Sequence, residues 1–274
     1  MIPLIKSIIM TLLISSLFGD RPYVVVLGIA QDGGAPHAGC EKRCCIELWE
    51  SGKEEKVSSI GIVNPLTKQS WLFDATPDFP SQYRILTENH NTELVGIFLT
   101  HAHMGHYTGL LHLGREVMGK KNVPVYVMSR MKRFLETNGP WSQLVSLKNI
   151  NLKLIENNKY IKIGEQLFVE PFLVPHRDEY SETVGYRIIG NEKSLAFIPD
   201  IDKWEKWHGS IFQLVLNTDI LLIDGTFYSQ NEIPHRNMAE IPHPFIIESM
   251  ETLSELNSEN RNKIHFIHFN HSNP

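Results

Sequence analysis

The segment LTHAHMGHYTGL, Leu99 to Leu110, carries three histidines in the spacing H-x-H-x-x-H directly after an apolar run. His101 and His103 lie two residues apart just beyond a predicted strand. In extended backbone their side chains point to the same side and can bind one metal ion. His106 lies where a helix is predicted to begin, so it can face a second ion. A lone histidine is usually a packed polar residue, whereas three in this spacing are far more specific for a metal site.

The overall composition is that of a globular protein with a sizeable core. The chain has 274 residues, of which 42% are hydrophobic and 21% charged. This length fits one large domain or two small ones. The formal net charge of -5 argues against a broad basic surface, which disfavours nonspecific binding of nucleic acid or anionic membranes. We therefore expect a small molecule as the binding partner.

Residues 1–19 are predicted to be a removable signal peptide. Lys6 precedes the apolar run Ser7 to Phe18, which is short for a bilayer span. The prediction implies export to the periplasm or outside the cell, with no stable membrane span after cleavage and a mature domain at 20–274. The alternative is an uncleaved apolar strand or anchor, and without export the protein would be cytoplasmic.

The pattern of elements predicts an α/β fold of two sheets flanked by helices. The β-branched run Tyr23 to Leu27 predicts a buried strand, and Leu94 to Thr100 predicts the strand that delivers the histidines. Apolar spacing predicts an amphipathic helix over Thr108 to Met118. A final strand is predicted in KIHFIHF, Lys263 to Phe269.

Further candidate metal ligands lie at the ends of other predicted strands. His176 follows the apolar run FLVP, and Asp200 ends SLAFIPD. His268 and His271 compete as the ligand after the last strand, and His268 is favoured because it directly follows the apolar run. Loops at strand ends gather on a rigid scaffold, where sites are commonly built.

A second candidate metal site lies in the loop PHAGCEKRCC. It offers four soft or borderline ligands within nine residues: His37, Cys40, Cys44 and Cys45. Three clustered cysteines do not make a disulfide framework. We interpret the set as a tetrahedral structural zinc site, with reduced buried thiols as the alternative.

Three more residues are candidates for supporting roles. Asp74 and Asp224 each end a predicted strand and could hold a ligating imidazole by its second nitrogen. Their alternative role is to cap a turn or helix. His243 lies between two prolines after a long loop, and it is a candidate catalytic residue in contact with substrate.

The ordered motifs THAHMGHYTG, His176, Asp200 and IHFNHSNP resemble those of the metallo-β-lactamase superfamily, whose fold is a four-layer αβ/βα sandwich. The resemblance covers the chain from Tyr23 onward. Within the superfamily, DGTF, HFNHSNP and the cysteine loop are similar to the coenzyme PQQ synthesis protein B group. By analogy the chain also approaches the phosphodiesterase and tRNA-processing nuclease branches.

The resemblance implies a ligand set for two metal ions. His101, His103 and His176 would bind the first ion, Asp200 would bridge, and His106 and His268 would hold the second. The family's remaining ligand is an aspartate where this chain has Gly105. The second ion is therefore expected to be weak, absent, or helped by another group, for which His271 is our hypothesis.

The implied function is a zinc-dependent hydrolase, although iron and manganese suit the same ligands. Zinc-bound hydroxide would attack an ester, phosphodiester or amide, with Asp200 orienting the water. Because Gly105 removes a carboxylate, the alternative is a catalytically weak metal-containing binding or carrier protein. A tRNA-processing nuclease is a further alternative, disfavoured by net charge and by the apparent export signal.

Overall fold

The computed structural model describes residues 21–232, 237 and 240–274. The predicted signal peptide therefore lies outside the described residues. Across the part that is described, none of the helices combines the length and the apolar character that a membrane span requires.

The first sheet contains six strands in sequential order. They are β1 (Tyr23–Gly28), β2 (Ser59–Asn64), β3 (Gln69–Phe73), β4 (Glu93–Phe98), β5 (Val123–Val127) and β6 (Ile150–Leu154). β1 to β3 form an antiparallel meander. β3 to β6 pair in parallel, so the carboxyl ends of β3 and β4 lie at the same edge.

The second sheet also has six strands, in the order β12-β11-β10-β9-β8-β7. They are β7 (Ile161–Gly164), β8 (Leu167–Leu173), β9 (Val184–Ile189), β10 (Ser194–Ile198), β11 (Ile220–Asp224) and β12 (Ile264–Ile267). β10, β11 and β12 are mutually parallel. Their carboxyl ends therefore deliver three consecutive segments to one edge.

The helices are short. The α-helices are α1 (Arg43–Ser51), α2 (Phe79–Arg84), α3 (Met104–Tyr107), α4 (Ser129–Thr137), α5 (Trp141–Ser146), α6 (Ile211–Leu216), α7 (Ile246–Thr252) and α8 (Ser258–Arg261). A π-helical turn, Ile85–Asn89, continues α2, and 3₁₀ turns cover Thr108–Leu113 and Trp204–Lys206.

Three hydrophobic clusters separate four layers. One packs Phe73 and Phe98 of the first sheet against Tyr186 and Phe197 of the second. A second cluster lies between the first sheet and its helices, and a third lies between the second sheet and helices that include α6. Burial of apolar side chains at these three interfaces holds the layers together. The four-layer αβ/βα sandwich implied by the resemblance is confirmed.

The helix predicted over Thr108 to Met118 is wrong in type and length. A 3₁₀ turn follows α3 and ends at Leu113, because Gly114 adopts an extended conformation with φ -69° and ψ 172°. Leu110 and Leu113 are both fully buried, and their spacing of three fits a 3₁₀ turn as well as an α-helix. The apolar pattern alone could not distinguish the two.

Candidate metal centre

The candidate site lies at the edge where the parallel strands of both sheets end. Asp74 follows β3, and His101 to His106 follow β4. On the other sheet Asp200 follows β10, Asp224 ends β11, and His268 follows β12. The loop after β1 joins this edge because Ala30 forms β-bridges to both Val57 and Phe269.

One group of side chains brings together His101, His103, His176 and Asp200, whose ligand atoms all lie within 4.8 Å of one another. His101 Nε2 lies 2.9 Å from His103 Nδ1 and 3.3 Å from Asp200 Oδ2. His176 Nε2 lies 3.4 Å from Asp200 Oδ1. The three histidines that the resemblance assigned to a first ion therefore meet the bridging residue Asp200 in one place.

A second group contains His106, His268 and Asp32. His106 Nε2 lies 3.2 Å from Asp32 Oδ1, and His268 Nε2 lies 3.8 Å from the same oxygen. Asp32 belongs to the loop after β1, and the sequence analysis did not identify it as a candidate. The signal available was a carboxylate beside the Gly33-Gly34 pair, in a loop leading from a buried strand toward the site edge.

Asp200 lies between the two groups. Its Oδ2 faces His101 of the first group and lies 3.5 Å from His106 Nε2 and 3.8 Å from His268 Nε2. Metal bonds of about 2.1 Å place neighbouring ligand atoms about 3.0 to 3.4 Å apart. The observed separations are close to that range, so the residues fit two ions that share the Asp200 carboxylate.

The ligand atoms are buried, and several have no hydrogen-bond partner among the described residues. These atoms are Asp32 Oδ1, His106 Nε2, His176 Nε2, His268 Nε2 and Asp200 Oδ1. Buried polar atoms without a partner are costly. A cluster in which carboxylate oxygens and imidazole nitrogens share this condition is typical of a metal site.

Electrostatics in the cluster favour ionised carboxylates. Burial alone would raise the pKa of Asp32, but the neighbouring imidazoles of His106 and His268 hold it well below its usual value. Burial likewise opposes ionisation of Asp200, whose pKa is nevertheless held low chiefly by His176 and His268. For His176, burial lowers the pKa to about 4, which favours the neutral, ligating form.

Asp74 and Thr100 support the imidazoles from behind. Asp74 is fully buried, and its Oδ2 lies 2.7 Å from His106 Nδ1. Its Oδ1 accepts the Thr100 backbone N–H at 2.7 Å, and the Thr100 hydroxyl lies 3.0 Å from His101 Nδ1. With a proton on Nδ1, each imidazole presents its Nε2 lone pair to the site. Asp74 thus occupies the supporting position predicted for it.

Two further supports come from residues that the sequence analysis missed. Glu179 Oε2 lies 3.0 Å from His103 Nε2, so His103 is left to face the group with Nδ1. The Thr226 hydroxyl lies 2.9 Å from His268 Nδ1 and also donates to Asp224 Oδ1 at 2.7 Å.

Two residues of the centre also have an unusual backbone conformation. Asp74 and His268 adopt φ of 64° and 67°, in a region that costs energy for residues other than glycine and that concentrates at functional sites.

His243 lies beside Asp200 and is held by Asp224. His243 Nδ1 donates to Asp224 Oδ2 at 2.8 Å and lies 3.1 Å from Asp200 Oδ1. Burial opposes its protonation, but the charges of Asp224 and Asp200 raise the pKa of His243 to about 9. The structure thus places the predicted catalytic histidine at the centre, and it shows that Asp224 supports His243 directly.

Comparison with known proteins identifies the family. The β-lactamase superfamily domain matches residues 70–269. The chain belongs to the β-lactamase superfamily. It is 25% identical to the coenzyme PQQ synthesis protein B of Methylococcus capsulatus, over 91% of this chain and 90% of the relative. The protein of the same name in Acinetobacter baumannii (strain ACICU) is 23% identical over 92% and 90%.

Solved structures of the superfamily share the fold. Zinc-bound PqqB from Methylobacterium extorquens matches with a TM-score of 0.73 and 23% identity, over 92% of this chain and 90% of that one. A diphosphatase of the PhnP family matches with a TM-score of 0.67 and 20% identity, over 93% and 88%. These likenesses confirm the metallo-β-lactamase fold and the similarity to the PQQ synthesis protein B group.

The superfamily motif aspartate is replaced by Gly105, and the structure shows what fills that space. A Cβ atom added at Gly105 would lie 2.1 Å from Asp32 Oδ1 and 2.7 Å from Asp32 Cα. His271, which we proposed as the compensating group, lies in the cysteine cluster instead, so that hypothesis is wrong.

The cysteine cluster differs from its prediction in one ligand. The three thiols meet His271, and all four ligand atoms lie within 4.8 Å of one another. Cys44 Sγ lies 4.0 Å from Cys40 Sγ and from Cys45 Sγ, and His271 Nδ1 lies 3.4 Å from Cys45 Sγ. A tetrahedral zinc with sulfur bonds of about 2.3 Å separates sulfurs by about 3.8 Å, so the set fits zinc.

His37, the imidazole originally assigned to the cysteine cluster, stacks on the His271 ring at 4.5 Å. Its Nδ1 lies 3.0 Å from the carbonyl oxygen of Ala38. The prediction chose the histidine nearest in sequence, whereas the fold brings the C-terminal segment against the loop. The structural zinc itself stays a prediction.

Proposed function

We propose that this protein is a zinc-dependent hydrolase that cleaves an ester, phosphodiester or amide bond of a small molecule. The observation that supports it most is the pair of ligand groups joined by Asp200. Five imidazoles and two carboxylates converge there, with the buried ligand atoms aimed at one another. Iron or manganese would suit the same ligands.

When bound, zinc would lower the pKa of a water molecule to near 7 and polarise a carbonyl or phosphoryl oxygen. The other roles belong to the side chains. Asp200 would orient the attacking water by accepting a hydrogen bond from it. His243, held by Asp224 at Nδ1, is placed to donate a proton to the leaving group from its second ring nitrogen.

A cavity beside the centre suits a small substrate. It has a volume of about 280 Å³, and its lining includes Asp32, Met104, Trp49 and Lys53. That volume lies near the lower end of the range usual for small-molecule pockets. The relatives are named coenzyme PQQ synthesis protein B, which supports a small-molecule substrate related to the synthesis of that coenzyme.

The alternative of a metal-containing carrier was based on Gly105. Gly105 suggested that the second site had lost its carboxylate, but the Asp32 carboxylate lies in that space. A metal-containing carrier and a tRNA-processing nuclease remain as outcomes of the experiment below. Lys6 and the following apolar run support export of the protein, with a cytoplasmic location as the alternative.

The test is hydrolysis of a panel of esters, phosphodiesters, amides and precursor tRNA by the zinc-loaded protein. We expect turnover of one small-molecule class, loss of that turnover in His176→Ala, and near wild-type turnover in His265→Ala. His265 is the matched control because its side chain is exposed on β12, outside the centre.

The His243→Gln variant should keep its metal and lose most of its turnover. If the metal-bound protein hydrolyses no compound of the panel, the result would favour the carrier. Cleavage of precursor tRNA alone would favour the nuclease.

A further inference from the structure

We propose that Asp32 is the carboxylate ligand of the second metal ion, supplied by the loop after β1 in place of an aspartate at position 105. The inference rests on the metal centre of the proposed function and specifies its composition. The H-x-H-x-x-H segment would thus keep its histidines while the carboxylate comes from 73 positions earlier in the chain.

A side chain at position 105 and the observed Asp32 side chain exclude each other in space. The Cβ of any side chain at position 105 would lie 2.1 Å from Asp32 Oδ1, and real non-bonded atoms do not approach so closely. The same Cβ would lie 2.7 Å from the Cα of Asp32, so an aspartate at 105 and the observed Asp32 cannot coexist without a backbone shift. Gly105 is therefore required by Asp32 rather than being a simple loss.

The Asp32 carboxylate also points toward the ligand atoms of the second group. Asp32 Oδ1 is buried and faces the Nε2 atoms of His106 and His268, at 3.2 and 3.8 Å. His106 is already bonded through Nδ1 to Asp74, so its Nε2 is the atom free to ligate. Together with Asp200 Oδ2, these three residues provide two imidazoles and two carboxylates around one point.

Hydrogen bonds fix the loop after β1, which carries Asp32, to the C-terminal segment. Gln31 donates its backbone N–H to the Phe269 carbonyl at 2.7 Å, and Phe269 donates to Ile29 at 2.8 Å. The Asn270 side chain donates to Gln31 Oε1 at 2.6 Å. The residues before Asp32 are thereby bonded to the segment that carries His268, so both ligands of the second group share one frame.

The rival explanation is a structural ion pair between Asp32 and a protonated His106, with no metal between them. Asp32→Gly, Asp32→Asn and the exchange variant Asp32→Gly with Gly105→Asp distinguish the two. Zinc per chain is measured by elemental analysis after dialysis. Cobalt titration then assigns the loss to a site, because thiolate-bound Co²⁺ has a strong near-ultraviolet band that a histidine and carboxylate site lacks.

The wild-type chain should bind two ions at the histidine centre. Asp32→Gly should lose one of them, with a drop in affinity greater than the roughly 10- to 100-fold typical when only an outer partner is removed. Asp32→Asn, which keeps the side-chain shape, should weaken the same ion. The exchange variant should recover the second ion only with a shift of the loop at position 32, because a Cβ at position 105 still lies 2.7 Å from the Cα of residue 32. Thermal unfolding of the metal-free variants checks that each chain folds.

Two ions retained at full affinity by Asp32→Gly would overturn the ligand assignment and leave the proposed function standing. Recovery of the second ion by the exchange variant would support the spatial replacement, and a Gly105→Ala variant that keeps both ions at full affinity would overturn it. A wild-type histidine centre that binds no ion would overturn both the assignment and the proposed function.

Discussion

Replacing Asp74 with asparagine should weaken metal binding at His106 while leaving the fold intact. Asp74 is fully buried and accepts from the Thr100 backbone N–H and hydroxyl as well as from His106 Nδ1. A carboxylate can accept all of these bonds, whereas an amide presents one acceptor and one donor group. Asparagine must therefore mismatch one partner.

The structure indicates the size of the effect. If the new NH₂ group faces His106, it favours the tautomer with the proton on Nε2, which blocks the ligand atom. If the amide is reversed, the NH₂ group faces the Thr100 N–H instead. The first mismatch costs about 1 to 3 kcal/mol of metal-binding free energy, which corresponds to roughly 5- to 150-fold in affinity. The second leaves a buried N–H unsatisfied whether or not metal is bound, so it lowers the folding stability instead.

The assay is competition for zinc against a chelator, with cobalt spectra to separate the histidine centre from the thiolates. Asp219→Asn is the matched control. Asp219 also accepts a backbone N–H and a hydroxyl, both from Ser194, but at the opposite end of β10 from the centre. Equal zinc affinity together with equal thermal stability in the wild type and Asp74→Asn would refute the assigned support of His106, and so would an equal loss of affinity in Asp219→Asn.

Two further predictions concern the supporting structure. Cys45→Ser should weaken the second metal as well as the thiolate site, because the thiolate site fixes His271 three residues after His268; the same cobalt titration measures it, and unchanged affinity at the histidine centre would contradict it. Glu182→Gln should destabilise the folded chain by about 0.5 to 1 kcal/mol near pH 6, since Glu182 accepts the Arg130 N–H at 3.0 Å at the start of α4. Burial alone would raise the pKa of Glu182, but its hydrogen bonds hold it below the usual value, so the difference in stability should disappear as the pH falls through that pKa. Urea unfolding at pH 6 and pH 3 checks this, and an equal difference at both would contradict it.

The sequence was most informative where the pattern is local. His101, His103 and His106 lie within six residues after one strand, and Asp200 ends another. Parallel strands that share an edge bring these segments together, so strand ends predicted the candidate ligands. The resemblance to the superfamily then grouped His101, His103 and His176 around one ion.

The residues that were missed depend on contacts across the fold. Glu179 meets His103 across 76 positions, and His271 meets Cys45 across 226. Asp32 meets His106 because the loop after β1 is hydrogen-bonded to the C-terminal segment, a pairing that no periodic pattern encodes. The sequence analysis therefore found the motif with its missing carboxylate but not the residue in its place.

The two candidate metal sites, the thiolate cluster and the group that contains Asp32, are built from the same two chain segments. The loop after β1 and the helix that follows supply Asp32 to one site and the cysteines to the other. The C-terminal segment likewise supplies His268 and His271. An ion at either site would restrict the relative motion of both segments. The ion that binds later, at the other site, would therefore lose less conformational entropy of the chain. Because coupling between two ligands is reciprocal, any factor by which a zinc bound at the thiolates would tighten the ion held by Asp32 would also be the factor by which that ion would tighten the zinc.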